Sequence, residues 1–550
     1  MHIDVTVGDI AVVLSSITDA VETACRYTLT TRKSPEQLKQ EKDYIKTHDI
    51  RTKAGNLRVP SKLNRDHKSL LMPMPDGTYC IPVGLWPRIQ GILEKSGNEV
   101  SVTYRRSSRL YPKPDYSRLS GVSFLTGQQE AIALIAVSSC GIIKCVTGWG
   151  KSFVIGKLCK LFPSLRIVVA TSSSQVVGSL YERISADCPG EVGYLYTKGN
   201  TTEGKRVICC TLKSLAKLNP ENVDMLFIDE CHSIGDNDAG QTLSRFVFSR
   251  KFGFSATPVR NDGSALVMEA LLGPIILDVG YVEAVSNDMV VPLNYIMLPC
   301  TKGPSFLRDI PGPNGKLYRK DLPEVTRKKF SYWKNDHRNE CIAQAVRQIL
   351  QIDPDIQILI MADTLQHAIL LHKLLPNFLV AHYGAADLGD LKSDARFAKM
   401  DLTRYKLKPR ELDKIRNAFA KGTLKRVIST FVFKQGVDFR DLRIVVRADG
   451  RVSTVDGIQI PGRVARTSEG KESGYIIDVY DTQDQWAKAR AERREELYKQ
   501  QGWTKKNIKE LLDDIRGIST AGSNAVAGIA DIFGNRTENI EGAEQSAADN

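Results

Sequence analysis

No two of the 11 cysteines form a C-x-x-C pair, and none stands at the histidine spacing that a zinc site would use. That excludes a zinc module and a dithiol redox motif. Their odd number, with Cys145, Cys209 and Cys210 inside apolar runs, reads as reduced core thiols of an intracellular protein. The opening MHIDVTVGDI has no basic segment followed by an apolar one, so no secretory signal is expected. No uncharged apolar run approaches the roughly 20 residues that span a bilayer. A soluble, cytoplasmic protein without a membrane partner is therefore expected. Acidic charge is also short: 63 Asp and Glu face 76 Lys and Arg, a formal net charge of +13. Such a surplus favours a polyanionic partner, because neutralising phosphates releases counterions.

What the chain does hold is material for several domains: 550 residues, 42% hydrophobic and 25% charged. Residues 1–120 read as an N-terminal α+β accessory domain. In it a charged stretch, Lys33 to Arg65, precedes strand-like Gly77–Pro82, a short helix Leu85–Leu93 and strand-like Glu99–Tyr104. Over 121–283, apolar runs beginning at Gly141, Leu165, Arg206 and Met225 alternate with helical or polar segments. Short buried strands separated by crossovers predict a parallel α/β sheet. Residues 284–482 repeat the theme with runs at Ile356, Arg426, Leu442 and Gly474, interrupted by charged inserts over 303–335 and 385–410. The basic run Arg319 to Arg338, with Tyr332 and Trp333, mixes charge and aromatics as either a strand-binding surface or a solvated insert would. A charged helix pair broken near Gly502 and Trp503 is expected over 483–518. A disordered tail rich in Gly, Ala, Ser and Asn is expected over 519–550.

Cys145-Val-Thr-Gly-Trp-Gly-Lys-Ser152 nearly satisfies the phosphate-loop pattern G-x-x-x-x-G-K-[ST], with cysteine in place of the first glycine. It follows a predicted strand and precedes a predicted helix, Phe153–Leu161. In that context Thr147, Gly148, Trp149 and Gly150 would turn backbone N–H groups towards phosphate oxygens at a helix N-terminus. The Trp149 side chain itself reads as packing rather than base stacking. Lys151 would meet the β- and γ-phosphates of ATP, and Ser152 would ligate Mg²⁺. Further on, Met225-Leu-Phe-Ile-Asp-Glu-Cys-His232 puts two carboxylates at the C-terminal end of an apolar strand, the edge where open α/β sheets bind ligands. Asp229 would hold Mg²⁺ there, and Glu230 would orient the attacking water.

These motifs resemble the superfamily 2 helicases of DExH type. Asp229-Glu-Cys-His232 matches the DExH signature, and Phe254-Ser-Ala-Thr-Pro258 resembles the S-A-T motif. Gln459-Ile-Pro-Gly-Arg-Val-Ala-Arg466 fits Q-x-x-G-R-x-x-R. Thr430 to Asp438 resembles T-x-x-x-x-E-G-x-D, with Gln435 in the glutamate's place. The resemblance covers roughly 121–480 and implies two tandem RecA-like lobes, ATP and Mg²⁺ as cofactors, and nucleic acid as partner. It also implies roles. Gln128, within Leu125–Ile132, would read adenine, and Thr171, Thr211 and Thr430 would grip the nucleic-acid backbone without reading sequence. His232, Ser255, Thr257, Gly436 and Asp438 would couple hydrolysis to movement. Gln459, Arg463 and Arg466 would complete the catalytic site, the arginines as fingers from the second lobe.

The stretch Gly253–Gly263, followed by Leu271-Leu-Gly-Pro274, is similar to one branch: XPB-type repair helicases, type III restriction subunits and UvsW-like phage helicases. XPB-type proteins carry Arg-Glu-Asp after S-A-T, where this chain has Arg260-Asn261-Asp262. Too little chain follows residue 483 for a restriction subunit's nuclease domain. In the N-terminal region, Cys80–Pro87 and Val100–Arg106 resemble the small duplex-sensing, DNA-binding domain of that branch. The UvsW-like reading implies branched or forked DNA as partner, in a phage-infected cytoplasm. An RNA-remodelling ATPase, or a DNA-binding protein with a decayed motor, are the alternatives.

Overall fold

The computed structural model describes residues 2–32 and 67–517, except positions 9–10, 16, 106–111, 198, 236–237, 259–264, 304–306, 312–316, 322, 383–395, 398–399, 434–438 and 440. The stretch Lys33–Arg65, the Arg260-Asn261-Asp262 element, Gln435, Gly436, Asp438, positions 385–395 of the second insert and the tail 519–550 thus lie outside the described residues. The chain divides into two compact units, Met1–Val290 and Val291–Asn550.

Unit 1 opens with a five-stranded sheet of β1 (His2–Val7), β2 (Ala11–Leu14), β3 (Met72–Pro73), β4 (Tyr79–Pro82) and β5 (Glu99–Tyr104), in the order β3-β4-β2-β1-β5. Alternation decides its faces: Ile3, Val5, Val7, Val12, Leu14 and Ile81 all point to one side. They pack there on helices α1 (Asp19–Thr28) and α2 (Trp86–Lys95) through Val21, Cys25, Ile89 and Leu93. The turn before α2 sits on the helix Ala265–Leu272. A Cβ at Gly84 would lie 2.3 Å from the Glu269 carbonyl oxygen, so only glycine fits. Arg88 binds the Glu269 carboxylate through two bonds of 2.6 and 2.7 Å.

The rest of unit 1 is built on α3 (Gln128–Val137), β6 (Cys140–Cys145), α4 (Lys151–Leu161), β7 (Ile167–Thr171), α5 (Ser174–Asp187), β8 (Val192–Tyr196), β9 (Gly199–Asn200), β10 (Val207–Thr211), β11 (Met225–Asp229), β12 (Arg250–Ser255) and β13 (Ile275–Val279). The sheet order is β9-β8-β10-β7-β11-β12-β6-β13, parallel at every pairing but the short β8–β9 edge. β7 and β11 are buried at all five positions, because parallel strands have helices on both faces. The four expected runs are all strands here, and β8, β9, β12 and β13 join them.

Unit 2 contains β14 (Leu293–Cys300), α6 (Asp336–Ile352), β15 (Ile358–Met361), α7 (Leu365–Leu374), β16 (Leu379–Ala381), β17 (Arg426–Ser429), β18 (Ile444–Arg447), α8 (Thr454–Gln459), β19 (Gly474–Asp481), α9 (Gln485–Gln500) and β20 (Thr504–Lys505). Its seven strands run parallel in the order β16-β17-β15-β18-β19-β14-β20. The C-terminal segment is woven into this unit. β20 pairs with β14, residues 508–517 are helical, and Leu511 and Ile515 are buried in the core. Among the described residues no helix is long and apolar enough to cross a membrane.

The first insert corrects one expectation. Leu307–Pro311 and Leu317–Asp321 pair as an antiparallel hairpin, but the aromatics after it do not form a surface for bases. Tyr332 is fully buried and stacks on Trp486 at 5.8 Å. The Trp333 indole N–H donates to Asp363 at 3.1 Å, and Arg338 is fully buried against Asp481. These side chains root the insert in unit 2, because large apolar rings gain more from burial than from water.

His367 on α7 gives unit 2 a measurable acid sensitivity. It is fully buried, with Nε2 donating to the Asn339 side-chain oxygen at 3.0 Å. Burial, and then the nearby Arg338 charge, hold its pKa at about 3, with Asp449 pulling weakly the other way. The unfolded chain therefore takes a proton near pH 6.5 that the folded chain refuses. Stability is unaffected above pH 6.5 and falls below it, by about 1.4 kcal/mol at pH 5.5 for this group. Urea unfolding at pH 7.5 and 5.5 should show a smaller acid loss in His367→Gln than in the wild type. Equal losses would remove His367 from the account.

Candidate functional site

The phosphate loop lies where β6 ends. Gly148 and Gly150 both have φ +99°, a region open to glycine and costly for other residues, so the backbone can reverse sharply into α4. Cys145 closes the strand from within the core: it is 1% exposed, and burial pushes its thiol up to about 12. A buried, protonated thiol is an apolar filler, which explains why cysteine serves where the general pattern has glycine.

The Trp149 side chain packs as expected, while Gln128 is tied to backbone. The Trp149 side chain is fully buried, its N–H donating to the Thr126 carbonyl at 3.0 Å, so it packs and cannot stack on a base. Gln128 is 2% exposed, and both ends of its amide are used on backbone. Its oxygen accepts from Leu125 N–H at 3.0 Å, and its nitrogen donates to the Trp149 carbonyl at 2.7 Å. A Cβ on Gly150 would sit 2.7 Å from that nitrogen. Gln128 braces the phosphate loop rather than presenting a free edge to adenine. Nothing in the residue pattern could have shown this, since the same glutamine suits either role.

β11 delivers the carboxylates. Asp229 is its last residue, in register with Thr171 on β7 and Phe254 on β12. Glu230 follows with φ +55°, a left-handed conformation that costs a non-glycine residue about 1–3 kcal/mol. That turn brings the Glu230 carboxylate to Lys151, Nζ to Oε1 2.6 Å, and to His232, Nδ1 to Oε2 3.2 Å. Burial alone would lift the Glu230 pKa, but the Lys151 ammonium and the His232 bond hold it well below the ordinary carboxylate range. Burial alone would lower Lys151, but Glu230 and then Asp229 keep it protonated. Asp229 goes the other way, raised by its burial against the pull of Lys151.

Does this site suit ATP and Mg²⁺? Asp229 Oδ1 is buried and has no hydrogen-bond partner among the described residues, an unusual state for a carboxylate oxygen. The neighbouring hydroxyls of Thr171 and Thr257 are likewise without partners. Ser152 stands in the first turn of α4, half-buried. An oxygen-only donor set of one carboxylate and one hydroxyl suits a small hard cation that keeps waters and takes substrate phosphates. No group of three or more His, Cys, Asp or Glu among the described residues could hold a metal by itself. The residues present fit Mg²⁺.

Ser255 and Thr257 join the same network: Ser255 Oγ lies 3.1 Å from His232 Nδ1 and accepts Thr257 N–H at 3.1 Å. A side chain at the end of β12 is thus wired to Glu230 through one histidine. The three threonines are less available than expected. Thr171 is fully buried. The Thr211 hydroxyl caps the turn Leu212–Leu215 by accepting Ser214 N–H at 3.1 Å. Thr430, after β17, is 6% exposed, with its hydroxyl 3.0 Å from His382 Nδ1. In unit 2, Gln459 ends α8 and Arg463 ends the turn Pro461–Arg463, both largely buried, while Arg466 is half-buried. The Arg463 guanidinium lies 5.5 Å from the centre of the Phe439 ring.

Residues 122–260 match the family described as type III restriction enzyme, res subunit. A protein of Sulfolobus islandicus filamentous virus named "Putative helicase 22" is 29% identical over 307 residues, 54% of this chain and 48% of its own. A protein of Acanthamoeba polyphaga mimivirus, named as an ATP-dependent RNA helicase, is 22% identical over 298 residues, 53% of this chain and 50% of its own. The chain thus spans about half the length of the curated relatives it matches. Among solved structures, yeast Dbp5 bound to RNA and ADP BeF3 aligns with 74% of this chain and 96% of its own, at 14% identity and a TM-score of 0.50, a likeness of fold alone. The family match over 122–260, the viral relatives named as helicases and the shared fold agree with the resemblance to superfamily 2 helicases that the motifs carry.

Proposed function

We propose that the chain is an ATP-driven motor that translocates on or unwinds nucleic acid, with branched or forked DNA as its preferred substrate. The observation that supports it most is the junction of Lys151, Glu230 and Asp229: an ionised carboxylate, a protonated lysine and an orphaned buried carboxylate oxygen at the mouth of a phosphate loop. In this reading Gly148 to Ser152 hold the phosphates of ATP. Ser152 and Asp229 would hold Mg²⁺, which supplies charge stabilisation on phosphate oxygens. Glu230, fixed by Lys151 and His232, orients the attacking water. Arg463 and Arg466, with Gln459, stabilise the charge that builds up on phosphoryl transfer.

His232, Ser255 and Thr257 carry the state of Glu230 to the segment that follows β12, and Gly436 and Asp438 keep their coupling role in the proposal. With the three threonine hydroxyls buried or engaged, backbone N–H groups at the ends of β7, β10 and β17 are the better candidates for gripping phosphodiesters. The described part of the N-terminal domain is close to charge-balanced, with eight Lys or Arg and seven Asp or Glu. Its electrostatic hold on DNA would therefore rest on the basic residues of Lys33–Arg65 and of Arg106 and Arg109.

The restriction-subunit match supports DNA, while the name of the mimivirus relative supports RNA as the second reading. ATPase titrations with single-stranded, duplex, forked and four-way DNA and with RNA separate them. Forked or four-way DNA is expected to raise turnover at least about tenfold more than RNA, with strong salt dependence. Equal stimulation by RNA would move the assignment to an RNA-remodelling ATPase.

A further inference from the structure

α9 reads in sequence as a solvated, charged helix, QWAKARAERREELYKQ, yet Arg494 and Tyr498 on it are almost completely buried. Arg494 binds Asp478 at 3.0 Å, the Val479 carbonyl at 2.7 Å and Asp481 at 3.4 Å. The Tyr498 hydroxyl donates to Asp478 at 2.6 Å. Arg338 and Arg447, equally buried, pair with Asp481 and Asp449. Three arginines and three aspartates are therefore neutralised inside one unit, a costly arrangement that holds only with every partner in place.

These cations converge on one loop. The Ala448 carbonyl accepts from Arg338 at 2.7 Å, the Gly450 carbonyl from Arg494 at 3.3 Å and Arg490 at 3.4 Å, and the Arg451 carbonyl from Arg447 at 3.1 Å. Arg451 itself is pinned to Asp363 at 2.6 Å. Three residues later the chain enters α8, and there α9 makes direct contact: a Cβ at Gly457 would lie 2.4 Å from Leu497 Cδ2. α8 leads straight into Gln459, Arg463 and Arg466.

We infer that α9 is the positioning element for the arginine-bearing turn, acting through Arg490 and Arg494 on the Gly450 carbonyl and through Leu497 on Gly457. The inference rests on the proposed role of Arg463 and Arg466 in ATP hydrolysis. A hydrophobic helix would cover this edge of the sheet as well, so the ionic contacts are spent on geometry: they fix where the loop, and with it α8, can sit. Displacing α9 should slow the chemical step and leave ATP binding at Lys151, in the other unit, as it was.

The test is the full chain carrying Arg490→Gln and Leu497→Ala together. Both residues are partly exposed, so the buried Arg494–Asp478–Asp481 core stays intact and the unit remains folded. The nucleic-acid-stimulated kcat should fall about tenfold with KM for ATP changed less than about twofold. Amide hydrogen exchange over 454–463 should quicken by about tenfold, with Met225–Asp229 unchanged. Arg490→Lys with Leu497→Met should restore both. Unchanged exchange over 454–463, or a kcat within twofold of wild type, would overturn the inference. A wild-type chain with no ATPase at all would defeat the proposed function, and the exchange readout alone would then decide whether α9 holds the turn.

Discussion

Lys151→Ala should abolish ATP hydrolysis, with kcat/KM falling by at least about 10³, or about 4 kcal/mol of transition-state stabilisation. The size follows from what the ammonium does in the folded chain. It is 13% exposed and lies 2.6 Å from a carboxylate that is itself only 21% exposed. Without it, Glu230 faces Asp229 with its ammonium partner gone, and Asp229 is already raised by burial. Two carboxylates would then meet the polyphosphate of ATP with no fixed positive charge between them, in a site where water screens poorly. Lys151→Arg keeps the charge, but a planar fork replaces a compact ammonium, so only partial recovery is expected. Phosphate release in the presence of stimulating nucleic acid measures both variants, and a thermal melt shows whether each is folded. Turnover in Lys151→Ala within tenfold of wild type would contradict the assignment of this loop.

The parts of this architecture that were legible in the sequence are those where local chemistry and global fold demand the same residues. β11 is readable because a strand buried on both faces must be apolar, and its carboxylates are readable because they end it abruptly. Glu99–Tyr104 is a strand with the bounds its alternation predicts. β8 and β14 were missed for a physical reason: Val192–Tyr196 contains Gly and two Tyr, and Leu293–Cys300 is broken by Asn and Pro. Neither forms an uninterrupted apolar run, yet both are held by ladder bonds, β8 to β10 and β14 to β19 far along the chain. α9 defeats periodicity differently. Its buried face is made of Ala, Arg and Tyr, and arginine counts as surface until the aspartates of β19 are placed beside it. Gln128 shows the same limit at the site. Its identity marks the loop, but whether its amide faces ligand or core depends on the Leu125 N–H coming close, which no spacing rule encodes.

Glu230→Gln should separate binding from chemistry. Glutamine is isosteric, and the backbone strain at φ +55° is the same for either side chain, so the loop should keep its shape. The amide oxygen can still accept from Lys151, which keeps the lysine oriented towards phosphate. What is lost is a full negative charge, which in the proposed function orients the attacking water, and loss of such a base or orienting group lowers rates by about 10²–10⁴. The expected result is a kcat down by that factor with ATP affinity retained, so that an ATP-loaded form accumulates and can be captured on nucleic acid by filter binding. A variant that loses ATP binding together with turnover would show instead that Glu230 serves mainly to anchor Lys151. The ion pair also predicts how the two substitutions combine. Lys151→Ala alone leaves a largely buried carboxylate without its ammonium partner, a destabilising state. Adding Glu230→Gln removes that charge, so the double variant should melt at a higher temperature than Lys151→Ala while remaining inactive. If it melts no higher, the 2.6 Å contact contributes nothing to the folded state, and the charge balance drawn for this site is wrong.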